Sequence, residues 1–420
     1  MMIGVLTLST GMMAAVGVRA HEKGSDTNDT GDKREKTLYV WAGDQARIRP
    51  DFLAVIDFNE ESANYGKVLG TVPLPGPGGV GNEAHHCHLS VDQNILACGG
   101  LLSLVRGQNS IFFFDVSNAR HPRFLFSTNA PNSSITDDFL PLPGGGFLIT
   151  QMGSATGDAP GAIAEFDRSL RFVAEYPVNR PVDGFNPHGI SARFDKNLMV
   201  TSDFINPVTT LNVFPGPVEL RGALRFWDLA RRTITQTVFL PEALGSMDVK
   251  LIPHDPHGRA VTANMFSGLV YTVDPTDGSV VQSFDCEDIV PQIDVPVPGG
   301  MVQLLAMPDS GNRLIFASFQ AGQVGLLDIS NPNQFSQRSI VNLGVDAGPH
   351  DIDLTEDDSR LVVTDYFLNE DDFGKIHFEG DHKVHVIVVT QDTLALDPRF
   401  DLDFNTAFPY PARPHGIAMK

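Results

Sequence analysis

Gly348 to Tyr366 reads GPHDIDLTEDDSRLVVTDY: a short alternating strand, a turn of acidic and hydroxyl residues, and a second strand rich in β-branched residues. A histidine stands just ahead of the first strand. Two strand signals separated by a polar turn mark an antiparallel hairpin. The pattern recurs as AHHCHLSVDQNILACGG from Ala84, DDFLPLPGGGFLITQM from Asp137, NPHGISARFDKNLMVTS from Asn186, MDVKLIPHDPHGRAVTANM from Met247, MVQLLAMPDSGNRLIFASF from Met301 and RPHGIAMK from Arg413. Aligned on the turn and the apolar run after it, His86, Asp138, His188, Asp248, Gln303, His350 and His415 fall in equivalent places. They stand about 47 to 65 residues apart, which is a spacing of propeller blades.

The last unit is cut short, one strand after His415. A propeller closes by completing that blade with strands from the other terminus, which removes exposed sheet edges. TLYVWAG from Thr37, FLAVIDF from Phe52 and KVLGTVPL from Lys67 supply the missing three. The expected fold is therefore all-β, a seven-bladed β-propeller closed by N-terminal strands pairing with the C-terminal strand. The 39 Gly and 29 Pro among 420 residues, with no sustained helical periodicity, agree with many short strands and turns. A repeat ring is one cooperative unit, so residues 37–420 read as one domain despite their length.

Residues 1–20 are apolar and end in Val18-Arg19-Ala20, which reads as a secretory signal segment lacking a basic start. Residues 21–36 are charged and poor in apolar side chains, the composition of a disordered linker. The chain is then expected in the periplasm or secreted, or in the cytoplasm if the segment is not a signal, with no membrane span after processing. A formal charge of −21, with no basic cluster, argues against nucleic acid and anionic lipid and leaves a small-molecule substrate as the expected partner. Cys87 and Cys98 flank the Asp92-Gln93 turn. They read either as a cross-strand disulfide or as two buried thiols, with Cys87 a soft ligand beside His86; Cys286 reads as a core or strand-end residue.

The first strand of each blade lines the propeller axis, so His86, His188, His350 and His415 are expected to converge in one funnel. Neutral imidazoles gathered together are costly unless hydrogen-bonded or holding a cation, and histidine is the commonest transition-metal ligand. His85 joins them if the strand bends there, because neighbours in a regular strand face opposite ways. Ligand type alone does not choose among copper, iron, zinc and nickel. Asp137, Asp138 and Asp248 are candidate further ligands or supports for the imidazoles, and Asp138 or Asp248 is the expected proton acceptor in catalysis. His254 and His257 fall at a rim, and His121, His377, His382 and His385 lie in polar loop or edge-strand text. No nucleophile elbow, phosphate loop or dinucleotide fingerprint competes.

From about Lys36 onward the chain resembles the selenium-binding protein family, which includes bacterial methanethiol oxidases. The resemblance is carried by PDFLAVIDFNEESANYGKVL, the His85-His86 pair, FFFDVSNARHPRF, GALRFWDLARRTITQTVFL with DVKLIPHDP after it, and DISNPNQF. It implies a seven-bladed propeller and, for the bacterial oxidases, a periplasmic copper enzyme converting methanethiol to formaldehyde, hydrogen sulfide and hydrogen peroxide with O2. It also implies that His85, His86 and His415 match metal-site histidines. This chain departs from the family in three respects: Asp137 stands where the family has a blade-two histidine, the Cys-x-x-Cys after the histidine pair is absent, and His188 and His350 are additional. A richer imidazole set has the plan of four-histidine iron oxygenases, so iron is the alternative cofactor to copper. A propeller holding a metal or peptide without chemistry is the remaining reading.

Overall fold

The computed structural model describes residues 35–288 and 297–420. The signal segment expected over 1–20 and all but the last two residues of the expected linker lie outside the described residues. Among the described residues seven blade sheets follow one another along the chain, with one two-stranded sheet besides. The innermost strands of blades one to six are Ala84–Leu89, Ser133–Pro141, Pro187–Arg193, Ser246–Leu251, Val302–Ala306 and Asp351–Leu354. Blade seven runs from Ala412–Met419 at the axis through Thr37–Asp44 and Phe52–Asp57 to Val68–Pro73. Leu38 pairs with Met419 and Val40 with Ile417, so both ends of the chain close the ring as the truncated last repeat required.

Cohesion comes from faces packed between blades. Trp41 and Val55 of blade seven meet Leu96 and Phe112 of blade one; Phe113 of blade one meets Phe139 and Phe166 of blade two; Val362 and Val386 of blade six meet Leu38 and Val40 of blade seven. Each such side chain contributes roughly 1.5–3 kcal/mol when fully buried. Outer strands such as Arg123–Thr128 expose much of their surface, as a blade rim must.

The inner strands of every blade but the sixth share one irregularity. Their pairing register breaks between Ala84 and Cys87, Thr136 and Phe139, Pro187 and Ile190, Ser246 and Val249, and Val302 and Leu305. In blade seven the break falls opposite Val40 and Ala42 and takes in His415 and Gly416. An extra residue in one strand bends it and redirects side chains, which is how bulges serve sites. His85 and His86, Asp137 and Asp138, His188, and His415 all sit in these breaks. Glycine follows two of them because space requires it: a Cβ on Gly416 would lie 2.3 Å from the His85 carbonyl oxygen, and one on Gly189 2.8 Å from the Asp248 carboxylate.

A second repeating device joins neighbouring blades. The Asp138, Asp248 and Asp351 carboxylates accept backbone N–H bonds from Ile190, Leu305 and Ile417 of the following blade, at 3.2, 2.9 and 3.1 Å. Cys87 and Cys98 stand directly opposite each other and are joined as a disulfide, which settles the two readings of that pair. Cys286 is buried just past the outer strand Ser279–Asp285. Blade six carries an added hairpin, Leu368–Asn369 with His377–Phe378. Among the described residues no helix is long and apolar enough to cross a membrane.

Candidate metal centre

The structure gathers all five predicted histidines at the axis. Ring centroids of His85 and His86 are 4.2 Å apart, His85 and His415 4.2 Å, His350 and His415 4.6 Å, and His86 and His188 5.6 Å. The bulge in blade one lets adjacent His85 and His86 both face inward, which a regular strand forbids. Apolar rings brace two of the outlying members: Phe204 lies 5.0 Å from His188 and Phe367 4.7 Å from His350.

Asp137 is the anion of the group. His85 Nε2 lies 3.1 Å from its Oδ2, and His86 Nδ1 and His188 Nε2 lie 3.1 and 3.3 Å from its Oδ1. A carboxylate only accepts, so the His85 and His86 nitrogens facing it carry the protons. His85 Nδ1 is thereby left with its lone pair outward, as is His86 Nε2 once a cation displaces the second proton of that ring. Across the axis His86 Nε2 is 3.3 Å from His350 Nε2, while His350 Nδ1 contacts Gln303 Oε1.

Electrostatics follow from burial and this single charge. Burial, then the positive potential of His86, lowers the His85 pKa to about 4. His350 and His415 are driven well below the usual imidazole value by burial and by the other rings. Burial opposes charge on His86 too, but Asp137, Asp351 and Asp138 outweigh it and raise its pKa to about 9. Asp137 is buried, yet the surrounding imidazoles hold it well below the usual carboxylate range.

Among the five axial imidazoles, four buried nitrogens have no hydrogen-bond partner: His85 Nδ1, His188 Nδ1, and both ring nitrogens of His415. Native interiors rarely leave such groups unpaired, and holding an ion is one established cause. Ligand atoms from His85, His86 and His415 lie within 4.8 Å of one another, as do those from His85, Asp137 and His188. The residues present fit a transition ion held by nitrogen donors.

The cluster separates two chambers. On one side is a funnel of about 640 Å³ lined by His86, His188, Asp138, Asp248, Lys250 and Asp353 among others. On the other a cavity of about 50 Å³ touches His85, Asp137 and His188 and is walled by Leu101, Ile135, Met152, Phe204 and Phe367. Asp138 and Asp248 line the wet side but turn away from the imidazole cluster. Asp138 faces His88 at 3.5 Å as well as Ile190; burial acts to raise its pKa, and His88 and Lys250 overcome this and bring it to about 2. Asp248 is bound to Lys250 Nζ at 3.0 Å and to Leu305. Aligning the repeats on their turns placed Asp138 level with the histidines, whereas the bulge puts Asp137 there. Gln303, noted in the alignment without a role, is a partner of His350, and nothing in its own segment MVQLLAM announced it. His254 lines the funnel and His257 bonds to Asp274 at 2.6 Å, so these two do not form a site together.

A ring of seven blades, six of four strands and one of five, with histidines facing inward at its axis defines a β-propeller whose centre could hold a metal ion. The chain belongs to the 56 kDa selenium-binding protein family, whose model matches residues 25–420. A methanethiol oxidase of Hyphomicrobium is 24% identical over 361 residues, covering 79% of this chain and 77% of the relative. Selenium-binding protein 2 of Mus musculus is 25% identical over 433 residues, with 88% and 89% covered. A solved structure described as a hypothetical selenium-binding protein from Sulfolobus tokodaii shares the fold at a TM-score of 0.74 and 20% identity, covering 93% of this chain and 94% of that one.

Proposed function

We propose that the protein is a copper-dependent oxidase that uses O2 to oxidise a small thiol of the methanethiol type, with the ion held by His85, His86 and His415. The observation that carries this reading is that ligand atoms of His85, His86 and His415 lie within 4.8 Å of one another, with His85 Nδ1 and both His415 nitrogens buried and unpartnered. Bound copper would supply one-electron redox chemistry and an open position for substrate. The balanced reaction of the similar oxidases, methanethiol with O2 and water giving formaldehyde, hydrogen sulfide and hydrogen peroxide, needs no further cofactor.

The chain's own part is orientation and sorting. Asp137 holds the protons of His85 Nε2 and His86 Nδ1, which points the opposite nitrogens at the ion and makes them more basic. The apolar chamber excludes water and suits a short alkyl group, while the polar funnel suits water and charged products. Asp138 faces that funnel as a carboxylate, though its oxygens already serve His88 and Ile190. The Cys87 to Cys98 disulfide supports the exported location, since such bonds persist in oxidising compartments.

The test is metal analysis of protein made in its native compartment, with O2 uptake and peroxide release measured on methanethiol. About one copper per chain and thiol-dependent uptake are expected; protein free of copper and inert toward thiols would sink the reading. A second reading has its own observation. His85, Asp137 and His188 form a two-histidine, one-carboxylate set of the kind that holds non-haem iron. In that case His188→Ala loses the metal and His415→Ala keeps it, the reverse of the copper expectation.

A further inference from the structure

Blade six holds another group of ligand-type side chains, on the opposite face of its second strand from the axial cluster. Strand Lys383–Val389 pairs with Arg360–Thr364, Val363 facing His385 and Thr364 facing Val384. The ladder continues one step through the Asp365 N–H, which donates to the Lys383 carbonyl at 2.9 Å. Opposed residues share a face, so Asp365 and His385 become diagonal neighbours. Thr364 and Tyr366 turn the other way: Thr364 Oγ1 donates to the His415 carbonyl at 2.8 Å, and the Tyr366 ring lies 5.9 Å from that of His415. Asp381 arrives through a turn at Gly380, whose φ is 73° and where a Cβ would lie 2.5 Å from the Ala347 carbonyl oxygen. Asn405 Nδ2 pins that turn by donating to the Asp381 carbonyl at 2.9 Å.

Asp365, Asp381 and His385 offer ligand atoms that all lie within 4.8 Å of one another. Asp365 is fully buried, and neither of its carboxylate oxygens accepts a hydrogen bond in acceptable geometry. Its neighbours in the group are His385 Nε2, 2.8 Å away, and a second carboxylate. A buried carboxylate that accepts no hydrogen bond is costly unless paired, and the partly exposed Asp381 and His385 beside it supply the further donors that a cation would need. The side chains of His385 and Asp381 are 15% and 25% exposed, which leaves an entry path and room for water. Lys383 Nζ currently neutralises Asp381 at 2.6 Å and is itself 42% exposed, free to swing away.

We propose that Asp365, Asp381 and His385 form a second metal site, taking a zinc-class divalent cation with water completing its shell. One nitrogen and two carboxylate oxygens suit zinc, whereas magnesium and calcium prefer oxygen donors throughout. Bound there, the ion ties the Gly380 turn to the second strand of blade six, next to the buried His382 and the Tyr366 ring 5.5 Å from it. The site is structural and independent of the axial ion.

Metal-stripped full-length protein is titrated with Zn²⁺ by calorimetry. Asp365→Asn and His385→Gln should each bind one equivalent fewer than the unsubstituted protein. Lys383→Gln, which removes the competing ammonium from the surface, should bind that equivalent several-fold more tightly. Equal stoichiometry in all proteins, an unchanged affinity in Lys383→Gln, or no zinc binding at all would overturn the proposal. The His385 and Lys383 substitutions lie at partly exposed positions and keep the test decisive if Asp365→Asn misfolds. Failure of the axial reading shows separately, as His415→Ala binding as much metal as the unsubstituted chain.

Discussion

His86 Nε2 and His350 Nε2 face each other across the propeller axis at 3.3 Å. His350 is anchored from behind by Gln303, and it is not in either group of converging ligand atoms that contain His85. It faces the His86 nitrogen aimed at the ion, opposite the one that Asp137 holds, and does not complete the ligand set. His350→Ala should keep about one metal per chain with its affinity changed by no more than a few-fold, because the imidazole removed is outside the three ligands. His415→Ala should abolish binding. Competition with a chelator measures both; a metal-free His350→Ala protein would restore the four-histidine arrangement.

Asp137 touches three imidazoles with two oxygens. An amide in its place retains one acceptor and turns a donor toward a ring, so Asp137→Asn should misorient His85 or His86. Metal affinity is expected to fall by about tenfold to a hundredfold. Copper EPR should change as well, because the ligand nitrogens lose their fixed tautomers; an unaltered spectrum and affinity would show that packing alone holds the rings.

The links from Asp138, Asp248 and Asp351 to the next blade predict a division between stability and turnover. Asp248→Ala leaves the buried Leu305 N–H without its acceptor and frees Lys250, at a cost of about 1–3 kcal/mol. Urea unfolding should show that loss while kcat stays within a few-fold. A collapse of kcat with normal stability would return Asp248 to the proton-accepting role expected from sequence.

The ring and its closure were legible because turn and strand signals repeat, and because a truncated last unit needs Thr37–Asp44 as its partner. The histidines were legible for the same reason, each lying just before a recurring strand. Asp137 was harder to place. A one-residue slip exchanges which of two neighbouring aspartates faces the axis, and a bulge is such a slip, written in backbone geometry and not in residue type. His385 escaped altogether, because its partners Asp365 and Asp381 are brought together by a turn and a diagonal pairing that leave no spacing motif.

Cys87 follows His86 directly, so the disulfide constrains the strand that bears two candidate ligands. Cys87→Ser with Cys98→Ser should cost about 2–4 kcal/mol in denaturant unfolding. The double variant should also bind metal less tightly, since the ends of the blade-one hairpin are freed. A stability loss without any change in metal affinity would confine the bond to a purely structural part.

Asp51 gives the expected pH signature. Burial raises its pKa to about 7, against the lowering effect of the Asn82 N–H, which donates to its Oδ2 at 2.7 Å. The folded protein therefore holds a proton here that the unfolded chain releases near pH 4. Stability from this group is fully present below that value and declines as pH rises towards 7. Asp51→Asn keeps an oxygen acceptor for Asn82 and never ionises. Its unfolding free energy relative to the unsubstituted protein should climb by about 4 kcal/mol between pH 4 and pH 8. A difference that stays flat over that interval would mean that Asp51 is ionised throughout, with the charge compensated inside the fold by Arg47.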